Sequence, residues 1–126
     1  MRSKRILIVD DEPGIRAVCL RILRAAGFTV TCVSSVDEAL TDLEQDEFDL
    51  LITDIRMPQR NGLELVAEVK GLYRWLPVIV ISGFADSVRR AKGLGIDALV
   101  MKPFQPAELM AAVQHVLGAE SPLESA

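Results

Sequence analysis

The sequence has few of the residues that build disulfide or thiolate-bound metal frameworks. Its only cysteines are Cys19 and Cys32, and their spacing matches neither a metal site nor a redox motif. We therefore expect two small, buried apolar side chains. The only histidine, His115, lies on a helix-like segment, and no second histidine or cysteine is close to it in sequence. A surface position is expected for this side chain rather than a role as a metal ligand.

Long apolar runs and an excess of positive charge are also missing. No run approaches the roughly 20 apolar residues that a membrane span requires. The basic start of the chain, MRSKR, is followed by only four apolar residues, whereas a signal peptide needs about 7–15. A net charge of -4 argues against nucleic-acid binding. These absences predict a soluble cytoplasmic protein that makes no membrane contact and no direct nucleic-acid contact.

The chain does contain enough apolar sequence for one core. Its 126 residues are 50% hydrophobic and 25% charged, which is typical of a single globular domain. Five β-rich runs alternate with segments of helical periodicity, and the runs ILIV, LLIT and VIVI are almost continuously apolar. This alternation predicts an α/β fold, a doubly wound parallel sheet with helices on both faces. The predicted strands are Arg5–Val9, Thr29–Val33, Leu50–Thr53, Val78–Ile81 and Ala98–Met101.

Capping signals place the helices between these strands. The second helix opens on a capping box, Ser35 with Glu38, and Asn61 with Glu64 does the same for the third. The first is expected from Pro13 to Gly27, the fourth from Asp86 to Lys92, and the fifth from Pro106 to Gly118. Residues 119–126, AESPLESA, are interpreted as a tail or linker that follows a domain of residues 1–118.

Charged and hydroxyl side chains stand where the predicted strands end. In doubly wound sheets the ligand site lies beyond the carboxyl ends of the strands, so we expect these side chains to meet at one edge. They are Asp10, Asp11 and Glu12 after the first strand, Asp54 after the third, Ser82 after the fourth and Lys102 after the fifth.

These residue types point to phosphoryl transfer. Adjacent carboxylates repel one another, and a divalent cation such as Mg²⁺ with oxygen ligands relieves that repulsion. Lys102 supplies a mobile positive charge that can pair with an anionic oxygen. Asp54, which stands alone after the third strand, is the natural nucleophile, and an aspartyl phosphate is the expected intermediate.

Four motifs in order, VDDEP, TDIRMPQRNG, ISG and MKPF, resemble the receiver domain of bacterial two-component response regulators. The resemblance extends from about Arg5 to Leu117. It implies a flavodoxin-like (βα)5 fold with strand order 2-1-3-4-5. It also implies that Asp54 is the phosphate acceptor, with Ser82 and Lys102 binding the phosphoryl group.

The resemblance further implies a set of ligands for Mg²⁺ and a shaped loop around them. Asp11 is the direct acidic ligand beside Asp54, and Asp10 helps through water. The backbone carbonyl of Arg56 is a further ligand. Structural roles fall to Pro58 and Gly62 in the turn after the acceptor strand, and to Pro103, whose bond to Lys102 is expected to be cis.

Two features depart from the family pattern and concern the conformational switch. Leu99 stands where many members have Tyr or Phe, although a ring is present nearby at Phe84. The segment between Ser82 and Lys102 is also shorter than in many members. We therefore expect Ser82, Phe84 and Leu99 to be the switch residues, with Phe84 carrying the change that an aromatic at Leu99 makes elsewhere.

The predicted function is a phosphoryl-accepting signalling module. It takes its phosphoryl group from a histidine kinase or a phosphotransfer protein, acts on a downstream protein, and is a monomer or a phosphorylation-dependent dimer. It catalyses only its own phosphorylation and dephosphorylation. Two alternatives are a Mg²⁺-dependent phosphatase with an aspartyl nucleophile and a pseudo-receiver that only binds partners. The phosphatase fits less well, because that chemistry places its nucleophile after the first strand.

Overall fold

A computed structural model of the protein describes residues 3–83 and 85–118. For residues 85–87 it describes the backbone and not the side chains. Strands and helices alternate along these residues, as predicted. The strands are β1 (Arg5–Val9), β2 (Thr29–Val33), β3 (Leu50–Asp54), β4 (Val78–Ser82) and β5 (Ala98–Met101). The helices are α1 (Pro13–Ala25), α2 (Val36–Gln45), α3 (Gly62–Leu72), α4 (Ala85–Gly93) and α5 (Pro106–Val116).

The five strands form one parallel sheet in the order β2-β1-β3-β4-β5, which confirms the predicted fold class. β3 and β4 each extend one residue further than predicted. Asp54 pairs with Ile81, and Ser82 pairs with Met101, so both polar residues belong to the hydrogen-bonded ladder. The sheet thereby fixes the backbone of two predicted site residues.

An apolar core fills each face of the sheet. On one face α1 and α5 cover Ile6, Ile8 and Ile52, and on the other α2, α3 and α4 cover Leu7, Val9 and Leu51. Alternate residues of the central strands therefore face opposite cores, as the continuous apolar runs predicted. No helix among the described residues is both long enough and apolar enough to cross a membrane.

The cysteines differ from the prediction in one respect. Cys19 is fully buried against the α1/α5 face, where burial raises the pKa of its thiol to about 12. Cys32 is only partly buried, because it lies on the edge strand β2, which has a neighbour on one side only. The thiol of Cys19 is therefore unreactive at neutral pH. His115 is exposed, as expected.

Candidate functional site

The carboxyl edge of the sheet brings the predicted acids and lysine together. Asp54 ends β3, Asp10 follows β1, and Lys102 follows β5. Lys102 Nζ lies 3.1 Å from Oδ2 of Asp54, 3.1 Å from Oδ2 of Asp10 and 2.9 Å from Oε1 of Glu12. One ammonium group therefore faces three carboxylates that the sequence separates by up to 44 positions.

Asp10 is the most deeply buried of these acids. Its side chain is almost fully enclosed, and its Oδ1 accepts the backbone N–H of Glu12 at 2.9 Å. Its Oδ2 has no hydrogen-bond partner among the described residues. Lys102 Nζ lies 3.1 Å from that oxygen, so an ion pair with the ammonium group offsets part of the cost of burying the carboxylate. A buried carboxylate oxygen that accepts no hydrogen bond is costly, and a further positively charged ligand would reduce that cost.

Asp54 is held by hydrogen bonds to both carboxylate oxygens. Oδ1 accepts the backbone N–H of Ile55 at 2.8 Å, and Oδ2 accepts from Lys102 Nζ at 3.1 Å. The carbonyl oxygen of Asp54 accepts the hydroxyl of Thr53 at 2.8 Å. The carboxylate is thus fixed in orientation while its outer oxygen faces the charged edge.

Two opposing effects set the pKa values of the acids in the site, namely the burial of their carboxyl groups and the positive charge of Lys102. Burial raises the pKa of Asp10 above its ordinary value, and the Glu12 N–H and Lys102 only partly offset it. Burial likewise raises the pKa of Asp54, against the attraction of Lys102. Burial opposes the charge of Lys102, yet the hydrogen bond to Glu12 and the charges of Asp10 and Asp54 raise its pKa. The charge balance follows from the geometry, since one ammonium group faces three carboxylates.

These residues fit a hard divalent cation. One carboxylate oxygen each of Asp10, Glu12 and Asp54 lie within 4.8 Å of one another. Oxygen-only donors in small number suit Mg²⁺, which keeps several of its waters. Asp11 is only partly buried and is not in this group, although its charge contributes, after burial, to the raised pKa of Asp54.

The loop after Asp54 is closely fitted to the acceptor strand. Gly62 N donates to the carbonyl of Ile55 at 2.7 Å, and a Cβ built on Gly62 would lie 1.8 Å from the carbonyl oxygen of Asp54. Gln59, which follows Pro58, has a φ of 69°, in the left-handed region. Only glycine therefore fits at position 62, which gives a physical reason for a residue that the resemblance had named.

The fifth strand positions Lys102 beside Ser82. The backbone N–H of Lys102 donates to the carbonyl of Ser82 at 2.9 Å, and the Lys102–Pro103 bond is cis, as the resemblance implies. Ser82 is buried at the end of β4. Leu99 is partly buried against the α2/α3/α4 core. Phe84, the predicted switch ring, lies outside the described residues and stays a prediction.

Sequence reasoning placed Glu12 at this edge as one of three adjacent acids without assigning it a contact, and it gave Arg16 no role. Glu12 donates its backbone N–H to Asp10 and binds Lys102 through its side chain. Arg16 donates from Nη1 to the carbonyl oxygen of Asp10 at 2.7 Å, from one turn into α1. The third acid of VDDEP was a signal for Glu12, whereas nothing in the sequence distinguishes Arg16 from other helical arginines.

The family is decided by a match of residues 6–114 to the model of the response regulator receiver domain. The chain belongs to this family. Among solved structures, a CheY-like receiver domain protein from Methanospirillum hungatei superposes with a TM-score of 0.88 at 31% identity, over 92% of this chain and 94% of that one. The response regulator TrrA of Thermotoga maritima, solved in complex with Mg²⁺-BeF, superposes with a TM-score of 0.84 at 31% identity, over 90% of this chain and 98% of TrrA.

Curated relatives of this receiver domain are longer proteins. The transcriptional regulatory protein BaeR of Escherichia coli is 33% identical over 117 residues, which are 91% of this chain and 48% of BaeR. The DNA-binding response regulator MtrA of Mycolicibacterium smegmatis is 34% identical over 88% of this chain and 49% of MtrA. The chain therefore spans about half the length of these two relatives.

Asp10→Asn is expected to stabilise the receiver domain in EDTA, and more so at neutral than at acid pH. The pKa of Asp10 is higher in the folded protein than its value of about 3.8 in the unfolded chain. The protonated carboxyl group therefore stabilises the fold below pH 3.8, and this stabilisation is lost as the pH rises through the folded-state pKa. Asparagine removes that loss while its oxygen can still accept the Glu12 N–H. Thermal unfolding of wild type and variant at pH 4 and pH 7 measures the difference. Glu44→Gln, an exposed acid at the other edge, is the control, and an equal Tm gain at both pH values would contradict the reasoning.

Proposed function

We propose that this receiver domain accepts a phosphoryl group on Asp54 and thereby changes the binding of a protein partner. The observation that carries the proposal is the position of Lys102 Nζ, which lies 3.1 Å from Oδ2 of Asp54 and 3.1 Å from Oδ2 of Asp10, a buried oxygen that accepts no hydrogen bond from the described residues. A carboxylate, an ammonium group and a cation-binding oxygen at one edge are what the transfer of a charged group requires.

In the proposed reaction, a carboxylate oxygen of Asp54 attacks the phosphorus of a phosphohistidine. The new O–P bond forms as the N–P bond breaks, and the imidazole of the donor leaves with the electron pair and takes up a proton. Lys102 pairs with a phosphoryl oxygen, and the hydroxyl of Ser82 donates to another. We expect that Mg²⁺ would be held by Asp11, Asp54, the carbonyl of Arg56 and, through water, Asp10, where it would offset the negative charge of the carboxylates and of the phosphoryl group.

The donor we propose is a histidine kinase or a histidine phosphotransfer protein, and the downstream partner is a protein. We propose no nucleic-acid binding by these residues, since their net charge is -4. A cytoplasmic location, a monomer or phosphorylation-dependent dimer, and residues 119–126 as a tail stay predictions. The residues from 119 onward lie outside the described part of the chain.

The direct test is phosphorylation by a small donor. After incubation with acetyl phosphate and Mg²⁺, the intact mass of the chain is expected to rise by one phosphoryl group. Borohydride reduction followed by peptide mapping is expected to locate the group at Asp54. A label at Asp10 or Asp11, or no gain in mass when a known receiver domain is labelled in parallel, would contradict the proposal.

The same preparation separates the proposal from the phosphatase alternative. The described residues 3–83 and 85–118 are taken up by one sheet, its helices and short connections, and contain no cap over the acidic edge. We therefore expect no multiple-turnover hydrolysis of p-nitrophenyl phosphate. Steady release of nitrophenol beyond one equivalent of protein would favour the phosphatase.

Asp11→Asn is expected to weaken Mg²⁺ binding more than Asp10→Asn, because the proposed contact of Asp10 is through water. Isothermal titration calorimetry with MgCl₂ measures both affinities. Trp75 fluorescence is unsuitable, since Trp75 precedes β4 at the edge opposite the site. Glu12→Gln is the informative comparison, because Glu12 is in the group of converging carboxylates. If Asp11→Asn keeps the wild-type affinity while Glu12→Gln loses it, Glu12 is the ligand instead.

A further inference from the structure

A groove lies at the edge of the sheet where the strands begin, opposite Asp54. It has a volume of about 180 Å³ and lies between the end of α2 and the segment that joins α3 to β4. We call it the distal groove. Its walls are formed mainly by Glu44, Asp46, Glu47, Phe48, Tyr73 and Trp75.

The aromatic wall of the distal groove is open to solvent. Trp75 is 66% exposed, and Leu72, which ends α3 just before this wall but does not line the groove, is 70% exposed. Both are large apolar side chains that folding leaves in water. Tyr73 meets Trp75 edge to face, with ring centroids 6.5 Å apart, so the indole is supported from one side. A held, exposed indole offers a stacking face at little further entropic cost.

The opposite wall of the distal groove is acidic. α2 ends there with no basic residue in its last turn, so the negative end of its dipole is not compensated. Glu44 and Glu47 make no ion pair with any described residue, and Asp46 has only a 4.0 Å contact with Arg5. The groove therefore combines two carboxylates without an ion pair to any described residue, those of Glu44 and Glu47, with an aromatic face, and the two features together attract a cation.

The chain already uses this combination for one of its own arginines. The guanidinium carbon of Arg5 lies 5.1 Å from the centroid of the Phe48 ring, and its Nη2 lies 4.0 Å from Oδ1 of Asp46. Phe48 and Asp46 both line the distal groove. Trp75 provides a larger and more exposed ring beside Glu44 and Glu47, where no arginine of the described residues is paired.

We propose that the distal groove binds an arginine side chain of a partner protein, with an apolar neighbour of that arginine covering Leu72. A planar guanidinium stacks on an indole and pairs with carboxylates at once, which an ammonium does less well. Residues 119–126 of this chain do not suit the groove, since they carry Glu120 and Glu124 and no basic residue. Because the groove and Asp54 lie at opposite edges, this binding does not depend on the proposed phosphorylation.

The test uses the full chain and two capped hexapeptides without tryptophan, acetyl-Gly-Leu-Arg-Leu-Ser-Gly-amide and the same peptide with neutral citrulline for arginine. Trp75 is the only tryptophan, so its fluorescence and its indole N–H signal in ¹⁵N NMR report the groove directly. We expect saturable changes with the arginine peptide and about tenfold weaker binding of the citrulline peptide.

Matched variants locate the charge that is recognised. The double variant Glu44→Gln/Glu47→Gln is expected to bind the arginine peptide severalfold more weakly than wild type. Asp42→Asn, on α2 but outside the distal groove, is expected to bind the peptide with unchanged affinity. Trp75→Ala is expected to abolish the shifts of the neighbouring backbone amides. Equal binding of the two peptides, no shifts at millimolar peptide, or Trp75 shifts that depend on protein concentration alone would overturn the proposal. The last result would assign the groove to a second copy of the chain.

Discussion

Asp54→Asn is expected to reduce phosphorylation by acetyl phosphate to background. An amide oxygen is a far weaker nucleophile than a carboxylate, and among the described residues no other carboxylate at this edge ends a strand. The substitution preserves the geometry, because the asparagine oxygen can still accept the Ile55 N–H that Oδ1 accepts at 2.8 Å. Intact-mass spectrometry over a time course with Mg²⁺ measures the residual rate.

Folding must be controlled, since a lost label is also the result of an unfolded domain. Burial raises the pKa of Asp54, so removal of its charge is expected to maintain or raise the Tm of the metal-free domain. Asp46→Asn, an exposed acid at the opposite edge, is the matched substitution and is expected to label like wild type. A folded Asp54→Asn variant that labels at the wild-type rate would disprove the acceptor assignment.

The fold was predictable because its strands carry their own signature. Apolar runs such as ILIV and VIVI are buried on both faces of the sheet, which is the condition that the sequence pattern predicted. Both errors at strand ends concern polar residues. Asp54 and Ser82 continue the ladder because their backbones pair with those of Ile81 and Met101, and this pairing does not depend on the polarity of their side chains. Hydropathy alone ends a strand too early at such positions.

Helix capping was predicted correctly at one helix and in part at another. Asn61 and Glu64 exchange both hydrogen bonds of a capping box at α3. At α2, Ser35 Oγ accepts from the Glu38 N–H, but the Glu38 carboxylate binds the N–H and hydroxyl of Ser34. The sequence offers two adjacent serines, and only the path of the chain after β2 decides which of them the glutamate reaches.

The sequence predicted which residues form the site better than it predicted the contacts between them. Parallel strands bring Asp10, Asp54 and Lys102 to one edge, so their meeting followed from topology. Which acid after β1 turns inward depends on the local backbone. Asp10 is enclosed and Glu12 reaches Lys102, while Asp11 is only partly buried. Three adjacent acids look alike in a sequence, and their different environments come from the turn into α1.

Gly62→Ala is expected to destabilise the domain by about 3 kcal/mol or more, which is at or above the largest free-energy cost that overpacking a core usually has. The added Cβ would lie 1.8 Å from the carbonyl oxygen of Asp54, 2.8 Å from its carbonyl carbon and 3.0 Å from Cα of Ile55. All three are backbone atoms, so no rotamer change relieves the clash. The loop is also tied down, because Gly62 N donates to the Ile55 carbonyl at 2.7 Å.

Gly71→Ala, in the same helix, separates this clash from the general effect of replacing glycine. A Cβ at Gly71 meets nothing within 4 Å, so alanine there is expected to raise stability by up to about 1 kcal/mol through helix propensity. Urea unfolding of both variants gives the free energies of unfolding. If Gly62→Ala is within about 0.5 kcal/mol of wild type, the loop can move away from β3. A stable Gly62→Ala variant should then shift the NMR signals of Asp54 and Ile55, because the displaced carbonyl belongs to the residue that carries the proposed chemistry.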